Sequence, residues 1–76
     1  MNDSYMPGLK AMRTRAGLTQ KQLGELIGVS AGVIGRLERG LNIIPRWHTV
    51  WQLAKALNCS TDDLCQYKEE RDVNNN

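Results

Sequence analysis

The 76 residues, 41% apolar and 24% charged, hold one small globular domain; this excludes a catalytic domain joined to a separate regulatory one, and it excludes wholesale disorder. The formal charge of +2 conceals a division, because residues 9–55 carry Lys10, Arg13, Arg15, Lys21, Arg36, Arg39, Arg46 and Lys55 against Glu25 and Glu38, a net +6, while Lys68 and Arg71 against six acids leave the remainder at −4. A basic body with an acidic end is the footprint of a polyanion binder whose far end turns away from phosphates.

Residues 1–6 are short and polar and read as a flexible N-terminal arm. A first helix is predicted near 7–16, closed by Gly17. Leu18-Thr19-Gln20-Lys21-Gln22-Leu23 then forms a capping box, in which Thr19 accepts from the Gln22 amide and Gln22 reaches back to that of Thr19. It opens a second helix over 19–27, which Gly28 ends. Ser30 caps a third helix at 31–39, and Gly40 stops it. A fourth is predicted at 46–57 with Asn58 as its C-terminal stop. Cys59-Ser60-Thr61-Asp62-Asp63-Leu64 repeats the capping pattern and starts a fifth at 61–67, and residues 68–76, ending in an Asn triplet, read as a disordered tail.

Leu9, Met12, Leu23, Ile27, Val33 or Ile34, Leu37, Val50, Leu53, Ala54 and Leu57 fall at helical spacing and define one shared core. The fold class is therefore all-α, with five helices. Only three residues separate the second and third helices. That is the spacing of a helix-turn-helix, with Gly28 suited to a left-handed turn residue and Gly24 to close backbone approach. Periodicity leaves Ala31, Gly32, Gly35, Arg36 and Arg39 on the outward side of the third helix.

Cys59 and Cys65 are expected to stay reduced. Their spacing suits neither a bridge nor a CxxC site, and with His48 the only histidine, no metal site is expected. The N-terminal stretch lacks a basic-then-apolar signal pattern, and no apolar run approaches a membrane span. The expected location is the cytoplasm. No nucleophile, base and orienting group stand at a meaningful spacing, so neither catalysis, nor a cofactor, nor a small-molecule substrate is expected.

From Leu9 to Leu64 the chain resembles the lambda-repressor-like, or XRE (Cro/C1-type), helix-turn-helix DNA-binding family. The resemblance is carried by Leu9-Lys10-Ala11-Met12-Arg13, Gly17-Leu18-Thr19-Gln20, Leu23, Gly28-Val29-Ser30, Ile34, Leu37-Glu38-Arg39-Gly40, Pro45 and Leu53-Ala54-Lys55-Ala56-Leu57. It implies a DNA-binding domain over 7–67 whose third helix lies in the major groove, in a protein that represses transcription as a homodimer on a palindromic operator.

Position by position, the resemblance makes Gln20 a phosphate contact through its side chain and the start of its helix, with Ser30, Arg39, Asn42 and Arg46 as further contacts to the DNA backbone. Arg13 and Glu38 match a family ion pair that ties the first helix to the third. Arg36 is the expected base reader, since its guanidinium can donate to both acceptors of guanine. Ala31 and Gly32 stand where long polar readers are common, and Val33 can offer only apolar contact to a thymine methyl, so direct readout looks sparse. Trp47 and Trp51 on the fourth helix, with Leu64 and Tyr67 on the fifth, are candidates for the dimer interface; the competing reading is that the aromatics complete the core.

Two other functions compete with the repressor. An antitoxin would use the same domain to repress its own operon while binding a toxin protein. A protein-binding module without DNA affinity would account for the small residues at 31, 32 and 35.

Overall fold

The computed structural model describes residues 6–40 and 45–65. These form five helices: α1 (Leu9–Arg15), α2 (Gln20–Ile27), α3 (Ala31–Arg39), α4 (Trp47–Leu57) and α5 (Thr61–Cys65). There is no strand among the described residues. The fold is the expected all-α, five-helix arrangement with a helix-turn-helix made by α2 and α3.

Each helix end has a local cause. The Gln22 amide donates to Thr19 Oγ1 at 3.0 Å, and the Thr19 amide donates to Gln22 Oε1 at 2.8 Å, which closes the capping box that starts α2. Ser30 Oγ accepts from the Val33 amide at 3.2 Å and starts α3. At α5 the reciprocal pair is the Asp63 amide to Ser60 Oγ and the Ser60 amide to Asp63 Oδ2, both 3.0 Å. Left-handed residues close the other ends: Gly17, Gly28, Gly40 and, alone among the described non-glycine residues, Asn58 at φ 54°.

The corner between α2 and α3 depends on two glycines for different reasons. Gly28 takes φ 82°, a conformation costly for a side chain, and its amide and that of Val29 both donate to the Gly24 carbonyl. Gly24 is buried where the turn folds back on α2, and a Cβ there would collide with the Val29 carbonyl oxygen.

The core comprises Met6, Leu9, Leu23, Ile34, Leu37, Val50, Leu53, Ala54, Leu57 and Leu64, with Met12, Ile27 and Val33 packed at its edge. Five expectations need correction. Met6 belongs to this core and not to a free arm, because the backbone turns at Pro7-Gly8: the Leu9 amide donates to the Met6 carbonyl and the Gly8 amide to the Leu64 carbonyl at 2.9 Å. That turn also makes α1 begin at Leu9 instead of residue 7. Leu64 is fully buried, since the Ser60–Asp63 cap turns α5 inward, and it cannot serve a dimer surface. Gly35 lies buried against the Gln20 side chain and not on the outward side of α3. Neither tryptophan completes the core: Trp47 is 66% and Trp51 46% exposed. Residues 1–5 of the expected arm, Asn42, Tyr67 and the expected tail at 68–76 lie outside the described residues.

Backbone and side-chain hydrogen bonds from Ser60 hold the Asp63 carboxyl below its usual pKa. A depressed folded-state value means that Asp63 stabilises the fold above the ordinary carboxylate range, and that this contribution disappears as pH falls through the folded-state value. The acid-unfolding curve of Asp63→Asn should accordingly be less steep on its acid limb than that of the parent. Two glycine substitutions should move stability in opposite directions. Gly24→Ala is expected to cost roughly 1–3 kcal/mol, because the turn backbone must shift. Gly32→Ala, whose Cβ would meet only Ser30 Oγ at 3.7 Å, should gain about 0.5–1 kcal/mol of helix propensity. Urea unfolding midpoints check both.

Candidate nucleic-acid interface

The candidate surface is built around one buried carboxylate. Glu38 lies near the end of α3 with its side chain only 4% exposed, and it is satisfied from two other helices. Arg13 of α1 donates through Nε at 2.5 Å to Oε2 and through Nη2 at 3.3 Å to Oε1. Gln20, the first residue of α2, donates through Nε2 to Oε1 at 3.0 Å. Arg13 Nη1 donates to the Leu18 carbonyl at 2.8 Å, so the same guanidinium also holds the loop between α1 and α2. No buried side-chain nitrogen or oxygen among the described residues lacks a partner.

This arrangement explains why Gly35 sits under Gln20. A Cβ at 35 would stand 3.4 Å from Gln20 Nε2, in contact with the amide that reaches Glu38. Gln20 is thereby drawn inward as a strut between α2 and α3, whereas the sequence reading expects its side chain on a phosphate. The start of α2 remains available: the amides of Gln20 and Lys21 have no intrahelical acceptor, and the exposed Lys21 adds a charge beside them. Lys21 is not among the candidates the sequence reading names for this surface. The capping box that places it directly after Gln20 is the signal that could have found it.

On α3, Arg36 and Arg39 are exposed, and neither side chain has a partner among the described residues. Gly32 is exposed, Ala31 half-buried, and Val33 half-buried against the core. The outward face of this helix thus offers two guanidinium groups and, toward its N-terminus, almost bare backbone. Ser30 is occupied as the cap of α3 but exposed, and Arg46 is exposed at the start of α4. Among the described residues no group of three or more His, Cys, Asp or Glu could hold a metal ion. Cys59 and Cys65 are free, half-buried thiols, and burial, reinforced by Asp63 and Asp62 respectively, raises the pKa of both. No helix among the described residues is long and apolar enough to cross a membrane.

A second surface lies on α4 and the end of α2. Leu26 is 61% exposed and shares a groove with Trp51. Lys55 Nζ stands 4.8 Å from the centre of the Trp51 ring, and His48 stacks on the same ring at 6.1 Å. Trp51 also forms one wall of an open groove of about 350 Å³ between α2 and α4.

A family model described as helix-turn-helix matches residues 9–64. The transcriptional repressor RghR of Bacillus subtilis (strain 168) is 37% identical over 62 residues, which are 82% of this chain and 46% of that protein. The chain therefore spans just under half of that relative's length. YazB, an HTH-type transcriptional regulator of the same organism, is 34% identical over 56 residues, covering 74% of this chain and 80% of its own. Among solved structures, the P22 c2 repressor in complex with a synthetic operator matches with a TM-score of 0.74 at 30% identity, over 87% of this chain and 98% of that one. The restriction-modification controller protein C.AhdI from Aeromonas hydrophila matches at 0.68 and 30% identity, over 75% and 81%.

The strut ranks its own members. Arg13→Ala leaves the Glu38 carboxylate buried without its counter-ion and is expected to cost about 3–5 kcal/mol. Gln20→Ala removes one hydrogen bond from a carboxylate that keeps its arginine, and should cost about 1–2 kcal/mol. Chemical denaturation of the two variants gives the order directly; equal losses would contradict a carboxylate held mainly by Arg13.

Proposed function

The chain belongs to the helix-turn-helix family, in its lambda-repressor-like (XRE, Cro/C1-type) branch, and from that premise we propose that it regulates transcription by binding double-stranded DNA, as a homodimeric repressor on a palindromic operator. The single observation that carries this reading is α3 itself. It is a short helix, fixed on its inner side by the core and by Glu38, and it presents Arg36 and Arg39 to solvent without partners among the described residues. A rigid rod with free guanidinium groups suits the major groove, where hydrogen-bond acceptors of guanine and flanking phosphates lie within reach. The RghR relative is a repressor and the c2 structure is an operator complex, and both support the reading.

In this reading Arg36 reads a guanine, while Gly32 and Ala31 let the start of α3 approach the bases closely and Val33 adds at most an apolar edge. The exposed residues Ser30, Arg39 and Arg46, together with Asn42, meet the DNA backbone, as do the first amides of α2 at Gln20 and Lys21. With one long reader per half-site, much of the specificity must come from DNA shape and from the spacing of two protomers. Binding is the whole activity. The exposed tryptophan face keeps the antitoxin as a second reading, in which a toxin protein covers that face; copurification of a second small protein from the native host distinguishes it.

Arg36→Ala should relax preference at one base step, with a loss of about 5- to 150-fold on the selected site and little loss on scrambled duplex. Arg39→Ala should weaken all sequences alike and lower the slope of affinity against salt by about one phosphate contact. Site selection from random duplexes, followed by titration of both variants between about 50 and 200 mM salt, tests this. Binding that ignores salt would favour the protein-binding module instead.

A further inference from the structure

We infer that the groove between α2 and α4 docks a short acidic segment of another protein, which lays an apolar side chain against Trp51, Leu26 and Ile27 and pairs a carboxylate with Lys55. The partner is named by this chemistry alone, and the inference rests neither on the DNA reading nor on a toxin. The groove, about 350 Å³ and open to solvent, is lined by Leu26 and Ile27 from α2 and by Trp51, Gln52, Lys55 and Ala56 from α4. Lys55 is its only charge, and Gln52 adds an amide that can both donate and accept. Mostly apolar walls with few polar groups are the make-up of a binding groove.

Size selects the kind of partner. The α4 lining runs from Trp51 to Ala56, about 7.5 Å along the helix axis, which is the length of two or three extended residues. A standard interface between folded proteins takes about 800 Å² from each side, far more than so short a trough supplies. A peptide held by one or two anchors needs no more than this.

Charge selects its sign. From Arg39 to Thr61 the chain holds Arg39, Arg46, His48 and Lys55 and no Asp or Glu, so α4 and both its flanks lack an acid. Arg46, His48 and Lys55 are all exposed. On α2 the exposed Glu25 follows Lys21 by one turn, a spacing at which the two charges offset each other. Lys55 Nζ lies 4.8 Å from the centre of the Trp51 ring. The cation is therefore held beside the aromatic wall of the groove, where an incoming carboxylate and its apolar neighbour meet both at once. Such a surface attracts an anionic segment and repels a cationic one.

Peptides selected from a random library against the full chain serve as probes. Their binding is read from the emission of Trp51 in Trp47→Phe, where it is the only indole. The selected peptides should share an Asp or Glu beside a large apolar residue and bind with micromolar dissociation constants. Leu26→Glu and Lys55→Glu, both at exposed positions, should each weaken them about 10-fold or more, with circular dichroism as the check on folding. A peptide whose acid is replaced by Lys should bind Lys55→Glu better than the parent. The double variant Arg36→Ala with Arg39→Ala should keep affinity within about twofold, since those charges lie on α3 and outside the groove. Selection that yields no binder, or binders without an acid, overturns the inference, as does binding that Leu26→Glu leaves unchanged or the α3 double variant abolishes. A parent dimer that Leu26→Glu turns monomeric in sedimentation equilibrium also overturns it, by giving the groove to a second copy.

Discussion

The buried carboxylate of Glu38 is the constraint around which the rest of this domain is arranged. A charge that is almost without solvent contact is tolerable only if donors from its surroundings replace the lost water. Here they come from different helices: Arg13 from α1 and Gln20 from α2. A single residue of α3 therefore fixes that helix relative to both of its neighbours. The same satisfaction sets conditions elsewhere. Arg13 reaches Glu38 from the last turn of α1 and also holds the Leu18 carbonyl in the loop into α2. Gln20 reaches it across the face of Gly35. The two exposed arginines of α3 are consequently carried on a helix whose rotation about its own axis is determined from within.

This arrangement also explains how so small a domain can place a recognition surface accurately. A chain of this length holds a net stability of only about 3–5 kcal/mol, and α3 contains glycines that weaken it. Reciprocal caps at Thr19–Gln22 and Ser60–Asp63 and the left-handed stops at Gly28 and Asn58 fix where each helix starts and ends. The buried network fixes how the helices lie against one another. Local devices supply the lengths and a long-range device supplies the orientation.

That division is also the boundary of what could be read from the amino-acid order. Caps and stops were legible because their partners stand within three or four residues, where backbone geometry leaves few alternatives. The core of α4 was legible from its period. The Arg13–Glu38 pair was reached through family resemblance and not from spacing, since 25 intervening residues carry no geometric information by themselves. The inward draw of Gln20 and the burial of Gly35 depend on how closely α2 and α3 approach, a quantity that helical periodicity does not contain. Met6 and Leu64 were misplaced for a related reason: each lies at the edge of a helix, and a single backbone bond between Gly8 and Leu64 brings both edges into the core. For the tryptophans the sequence left core and surface as competing readings, because size and apolarity do not tell which face of α4 is covered; among the described residues both are exposed.

The two surfaces of the domain meet in α2. The start of that helix carries Thr19, Gln20 and Lys21 beside the reading helix, and its end carries Leu26 and Ile27 into the groove. Eight residues at 1.5 Å each separate the two functions by about 12 Å. Both ends are immobilised, one by the Glu38 network and the other by the Gly24–Gly28 corner. Through the bond from Gln20 to Glu38, the start of that helix is tied to α3, which carries Arg36. Association in the proposed dimer then selects one separation of the two reading helices, and DNA matched to that separation stabilises the dimer in turn, because each event removes freedom that the other would otherwise have to remove. In the proposed homodimer, the spacing of two sparse readers would discriminate among sites that neither reader could distinguish alone.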